Sequence, residues 1–181
     1  EWMPSLGINL HLAVDGFNWL GIWSPGGDQV AFAGSSDLEV FTVRADGGGA
    51  PQRLRPDGLM GAPWVWSRAG ELLFTIPREF GKPEIYATAA GAVGDVREVV
   101  VTDEGALDPA LSPNERWLAY TSMRTGEPEV WVKGYPEGVP RRVSSSGGYE
   151  PRWSADGREL FFLDGSAMMT VAVETDAELS L

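Results

Sequence analysis

Cysteine is absent from the 181 residues, which removes disulfide bonds and thiol nucleophiles from consideration while fitting any compartment. Histidine occurs once, at His11, and one imidazole without cysteines cannot build a zinc site of the usual kind. His11 alternates with Leu10 and Leu12 and lies outside any motif that would pair it with a nucleophile, so it reads as structural. Basic residues are scarce, with 14 Lys and Arg against 26 Asp and Glu, a net charge of −12. The nearest basic cluster is the pair Arg141-Arg142. Without a basic stripe the chain has little to neutralise phosphates, which argues against nucleic acid and anionic membrane as partners. No run of 18 apolar residues occurs, so membrane insertion is not expected. Gly47-Gly48-Gly49 is not followed by Lys-Ser or Lys-Thr and reads as a hairpin tip, not a phosphate cradle. No cofactor and no metal site is expected. The chain opens at Glu1 without Met or a signal peptide, as expected of a processed or excised piece.

What is present is aromatic and turn-rich: 8 Trp, 23 Gly and 13 Pro, a mixture that favours short strands joined by tight corners. One corner is written four times, as "WSPGGDQVAF", "WSRAGELLF", "LSPNERWLAY" and "WSADGRELFF". The corner serines are Ser24, Ser67, Ser112 and Ser154, spaced 43, 45 and 42 residues apart. The aromatics closing the next apolar run, Phe32, Phe74, Tyr120 and Phe162, are spaced 42, 46 and 42. Two markers that drift together identify an internal repeat.

Each unit has the same grammar. A short segment ends in an apolar residue and Ser, a Pro/Gly/Asn/Asp turn follows, and an apolar run comes next. An alternating strand then appears ("LEVFTV", "PEIYAT", "PEVWVK", "AMMTVAV"), and in three units a short fourth strand ("QRLR", "REVVV", "RRVSS"). Four antiparallel strands at a period near 43 describe one blade of a β-propeller, so the expected fold is all-β. Blades are expected at about 18–58, 59–105, 106–148 and 149–181 of a single domain. Residues 5–14 ("INLHLAV" within them) could supply the fourth strand missing from the last unit and close a four-bladed ring; the other reading is part of a larger ring. The second unit is one residue short at its corner, and Ser67 is preferred over Trp66 as the corner residue. Phe41, Tyr86 and Trp131 are expected to fill the wedge between blades, with Trp131→Ala costing on the order of 3–5 kcal/mol.

These corners, with "PEVWVKGYPEG" and "GGYEPRWS" between them, resemble the TolB-type (PD40, WD40-like) β-propeller repeat over about residues 18–173. The stretch "RRVSSSGGYEPRWSADGRELFFLDGSAMMTVAV" is similar to the last blades of the propellers attached to some bacterial serine/threonine kinases. The resemblance implies a periplasmic or otherwise extracytoplasmic setting. That family usually builds six blades, where this chain supplies four corners. No kinase motif is present.

Strand alternation places the loop before strand one and the loop between strands two and three on one face of the ring. That face is expected to carry Asp57, Trp64, Arg78, Glu79, Asp103, Glu104, Asp108, Arg124, Glu127, Tyr149, Glu150 and Arg152. Mixed charge with large aromatics suits a protein or peptide partner. The opposite face carries the repeated turns, whose residues turn geometry explains. Paired carboxylates could serve glycoside chemistry, but Asp103, Glu104, Asp108 and Glu150 read as solvated loop charges. Asp156-Gly157 reads as a turn-former, since the further carboxylates of a calcium loop are missing. The expected function is non-catalytic protein or peptide binding. The alternatives are the propeller of a prolyl-oligopeptidase-like or tricorn-like hydrolase whose catalytic domain lies elsewhere, and a scaffold that pairs copies into a homo-oligomer.

Overall fold

The computed structural model describes residues 19–34, 38–54, 60–77, 82–89 and 95–174, and contains no helix among them. Blade one comprises β1 (Trp19–Trp23), β2 (Gln29–Gly34), β3 (Glu39–Arg44) and β4 (Gln52–Arg53). Blade two comprises β5 (Ala62–Trp66), β6 (Glu71–Pro77), β7 (Pro83–Ala89) and β8 (Val96–Val100). Blade three comprises β9 (Ala106–Leu111), β10 (Trp117–Ser122), β11 (Glu129–Gly134) and β12 (Arg141–Arg142), and blade four β13 (Tyr149–Trp153), β14 (Glu159–Asp164) and β15 (Ala167–Ala172). Each sheet is an antiparallel meander in chain order, four-stranded in blades one to three and three-stranded in blade four among the described residues. Inner strands pack in sequence, β1 on β5, β5 on β9 and β9 on β13. The proposed closing strand at 5–14 lies outside the described residues.

The repeated corner is a hydrogen-bonded device. In every blade the corner serine's hydroxyl oxygen accepts from the first backbone N–H of the next strand: Gln29 to Ser24 (3.0 Å), Glu71 to Ser67 (2.9 Å), Trp117 to Ser112 (3.1 Å) and Glu159 to Ser154 (2.9 Å). In three blades the same hydroxyl donates to the turn's Asp or Asn, at Asp28 (2.8 Å), Asn114 (2.7 Å) and Asp156 (2.7 Å). Gly27, Gly70, Glu115 and Gly157 donate back to the serine carbonyl and take positive φ, a conformation that costs Glu115 what it does not cost glycine. The four-residue span of Ser67–Glu71 confirms Ser67 as the corner, with the missing residue lost from the turn. Ser112→Ala is expected to destabilise by about 1 kcal/mol, read from the urea midpoint, because it removes both the acceptor for Trp117 and the donor to Asn114.

The core lies between blades. Strands β2, β6 and β10 are buried on both faces, which explains their nearly continuous apolar sequences. One cluster joins Ala31, Val40 and Leu54 of blade one to Trp66, Leu72, Phe74 and Tyr86 of blade two. The next joins Leu73, Ile85 and Ala87 of blade two to Leu118 and Tyr120 of blade three. The third joins Ala119, Val130 and Val132 of blade three to Leu160 and Phe162 of blade four. At each interface an aromatic of the later blade's second strand (Phe74, Tyr120 or Phe162) packs among apolar residues of the blade before it. Tyr86 lies in the interface between blades one and two as expected, whereas Phe41 is buried against Phe32 of its own blade at 5.7 Å. Trp131 is only partly buried, its ring covered by the Arg124 guanidinium at 5.0 Å. Trp131→Ala is accordingly expected to cost about 2–3 kcal/mol by chemical denaturation, below the range for a fully buried ring.

A second repeat feature escaped the sequence reading. Glu39, Glu84 and Glu129 stand in the first two positions of the third strand of blades one to three and are buried. Glu39 pairs with Arg53 of β4 at 2.9 Å, Glu129 accepts from Ser144 and faces Arg142 of β12, and Glu84 accepts from Tyr86 at 2.6 Å. The two Glu–Arg contacts clamp the short fourth strand to the third. Blade four has Ala167 at this place.

Candidate functional site

Every inner strand carries a bulge four residues before its corner serine. Leu20-Gly21, Pro63-Trp64, Asp108-Pro109 and Glu150-Pro151 each oppose a single residue of the second strand. Leu20, Asp108 and Glu150 take φ of 50°, 55° and 54°, while the ring of Pro63 excludes that conformation in blade two. The bulge re-aims the inner strand where the blades converge, and its residues differ from blade to blade.

Asp108 is the buried charged member of this series. Its carboxylate accepts from the Thr121 hydroxyl at 2.9 Å, and the Glu150 N–H of the next blade lies 3.4 Å from the carboxylate and 3.2 Å from Thr121 Oγ1. Burial pushes its pKa up, the Glu150 charge adds to that, and the two donors and Arg152 oppose it. Asp108 is therefore not the solvated loop charge its sequence suggests; it is an interblade connector. Trp153 forms a second connection, its indole N–H donating to the Ala110 carbonyl at 3.0 Å.

A cavity of about 320 Å³ lies along β5, β9 and β13. Its walls are Trp64, Pro109, Pro113, Arg152 and Trp153, with Ala110 and Leu111 between them, and it extends to the corner turns at Pro113, Ser154 and Ala155. Trp64 is held by donation to Thr75 Oγ1 at 3.0 Å. With both indoles fixed by hydrogen bonds, the aromatic walls are preorganised. Arg152 is exposed and is the cationic residue of the lining, donating to the neighbouring Pro151 carbonyl at 2.8 Å.

Of the residues expected to form a binding face, the structure brings Trp64 and Arg152 together in this cavity. They sit along the inner strands, so the cavity faces the turns more than the loops. Asp103 and Glu104 are exposed in the turn before β9, where Lys82 donates to the Asp103 carbonyl. Arg124 covers Trp131, Glu127 is exposed in the same turn, and Tyr149 donates to the Gly165 carbonyl at 2.6 Å. Glu150 is exposed at its bulge. Asp57, Arg78 and Glu79 lie outside the described residues. Sequence reasoning missed Pro109, Pro113 and Trp153; the Pro-x-Trp-Ser and Leu-Ser-Pro corners were the available signal.

No family model and no curated protein matches the chain. Solved structures do. A TolB-type protein of Agrobacterium tumefaciens superposes with a TM-score of 0.70 at 17% identity, over 87% of this chain and 58% of that one. TolB from Acinetobacter baumannii gives 0.65 at 20% identity, over 86% and 40%. A puromycin-hydrolysing peptidase of Mycobacterium tuberculosis gives 0.67 at 22% identity, over 88% and 28%. The chain thus spans less than two thirds of each of these proteins. At these identities the likeness is one of fold, and the fold shared by this chain and these proteins is the β-propeller.

Proposed function

We propose that this propeller is a non-catalytic module that binds a protein or peptide segment along its axis. The observation that carries the reading is the cavity on the inner strands, with Trp64 and Trp153 as rigid aromatic walls and Arg152 as its cation. Fixed indoles offer apolar contact at low entropic cost, and a guanidinium selects a carboxylate. An extended segment with an apolar or proline residue beside an acidic group fits that chemistry. The test is selection of displayed peptides on the chain, followed by titration of the winners against wild type and Arg152→Glu. Arg152 is exposed, so the variant is expected to fold normally. Winners are expected to carry a carboxylate and to bind the variant about tenfold or more weakly, equal to 1.4 kcal/mol or more. Equal affinity for both forms would reject the axial site.

The likeness to a peptidase propeller favours a second reading, in which the chain is the propeller part of a hydrolase. A Gly-x-Ser-x-Gly elbow in the same polypeptide, with serine-hydrolase labelling, separates the two.

A further inference from the structure

Blade three sets two buried donors side by side and gives neither an acceptor. Tyr120 of β10 stands directly opposite Trp131 of β11, so their side chains leave the sheet together on the face packed against blade two. Tyr120 is fully buried, and neither its hydroxyl nor the Trp131 Nε1–H meets a hydrogen-bond partner among the described residues. Buried donors are almost always paired, so two orphans at opposed positions require an acceptor from elsewhere.

The repeat shows that this arrangement is particular to blade three. The same opposed pair is Phe32–Phe41 in blade one, Phe74–Tyr86 in blade two and Phe162–Met169 in blade four. Phenylalanine fills the position of Tyr120 in every other blade, so packing does not ask for the hydroxyl. Tyr86, at the place of Trp131, is answered within its own strand by Glu84, to which it donates at 2.6 Å. The equivalent carboxylate in blade three, Glu129, accepts from Ser144 and faces Arg142 at 3.7 Å instead. Blade two brings the apolar side chains of Leu73, Ile85, Ala87, Val99 and Val100 to this cluster. A cation stands by the pair: the Arg124 guanidinium lies 5.0 Å from the Trp131 ring centre and has no acidic partner among the described residues. Burial pushes the Tyr120 hydroxyl up to about 12 against the pull of the Arg124 charge, so at neutral pH it remains a donor. Arg124 itself is exposed, in the turn between β10 and β11.

We propose that the Tyr120 hydroxyl, Trp131 Nε1 and the Arg124 guanidinium form a carboxylate site between blades two and three, entered from the β10–β11 turn as Arg124 swings off the indole. Two neutral donors and a guanidinium match the two oxygens and the charge of a carboxylate. None of the three residues lines the axial cavity, so this site stands or falls apart from that one. The test titrates the chain, isotope-labelled at its tryptophan indoles, with sodium acetate and with sodium chloride at equal ionic strength. The signal followed is the Trp131 indole N–H, assigned by its loss in Trp131→Phe. Acetate is expected to shift it saturably and chloride to leave it in place. Arg124→Gln and Tyr120→Phe are each expected to weaken acetate binding about tenfold, while Arg152→Glu leaves it unchanged. Without acetate, Tyr120→Phe is expected to unfold at the urea concentration of wild type or above it, because the hydroxyl makes no bond within the chain. N-acetylglycine, which mimics a chain terminus, identifies the source: tighter binding than acetate assigns the site to a C terminus, and binding no tighter assigns it to an acidic side chain or a free acid. A Trp131 signal that exchanges with water and ignores both acids means an ordered water only and overturns the proposal. A lower urea midpoint for Tyr120→Phe overturns it as well, since the hydroxyl would then be bonded within the fold.

Discussion

Phe74→Ala is expected to lower the unfolding free energy by about 3–5 kcal/mol, the range for a large aromatic deleted from a core. Phe74 is fully buried and touches both sides of the interface between blades one and two, with Ala31, Val40 and Leu54 on one side and Leu72, Ile76 and Tyr86 on the other. Its ring lies 6.3 Å from that of Tyr86. The cavity cannot collapse easily, because Gly61 already brings the inner strand close: a Cβ there would sit 2.9 Å from Val40 Cγ2 and 3.0 Å from the Thr75 carbonyl. Backbone confined on that side leaves the vacated space unfilled. The measurement is a urea melt of both forms, with hydrogen exchange to locate the loss. Protection is expected to fall first in blades one and two, since stacked blades are stabilised mainly through their neighbours. Met168→Ala serves as the contrast in the 181-residue chain and is expected to stay within about 0.5 kcal/mol, because that side chain is exposed. If Phe74→Ala were as mild as Met168→Ala, the interblade core would not hold this propeller together.

The corner serines and the paired aromatics were legible because turn chemistry and burial act on residues a few positions apart. Ser154 must accept from Glu159, so the spacing is written locally, and it recurs wherever the corner recurs. The number and order of strands follow from the same local rules. Other features depend on strands distant in sequence. Nothing near Asp108 announces that its carboxylate reaches Thr121 and the next blade's Glu150; a lone Asp in a polar stretch looks solvated. The buried Glu39 and Glu129 escaped the sequence reading for the same reason, their arginines arriving from a strand of two residues. Trp64 and Arg152 meet only because three inner strands converge, which the repeat implies in outline but not in register. The open face of blade four is the sharpest case. "RELFFLD" has the pattern of its counterparts, and only the stacking shows that one of its two apolar faces is left uncovered.

Those distant contacts divide the chain's residues by role. Positions that repeat, the corner serines and the interface aromatics, are accounted for by the blade itself. Positions that do not repeat cluster at the inner bulges, where Leu20, Pro63, Asp108 and Glu150 put an aliphatic side chain, a proline ring, a buried carboxylate and an exposed one in the same structural place. Selectivity for a partner has to come from such differences, because a fully repeated surface would present every ligand with four equal seats.

Asp108 tests how much of that variation is structural. Its folded-state pKa is raised, chiefly by burial, so the native protein holds the proton more tightly than the unfolded chain does. The stabilisation from protonation is therefore fully present below the ordinary carboxylate value of about 4 and is lost as pH rises through the raised one. Asp108→Asn keeps an oxygen for the Thr121 hydroxyl and the Glu150 N–H while removing the charge. At pH 7 this variant is expected to be at least as stable as wild type, and its advantage should shrink as pH falls towards 4. Asp108→Leu removes the acceptor altogether. It strands the Thr121 hydroxyl and weakens the hold on the Glu150 N–H at the blade three–four interface, at a cost of about 1–3 kcal/mol for each buried group left unsatisfied. Urea melts of the three proteins at pH 4 and pH 7 separate these effects. Equal destabilisation by Asn and Leu at pH 7 would mean that the ionised carboxylate itself holds the interface, and that a neutral acceptor for the Thr121 hydroxyl and the Glu150 N–H does not suffice.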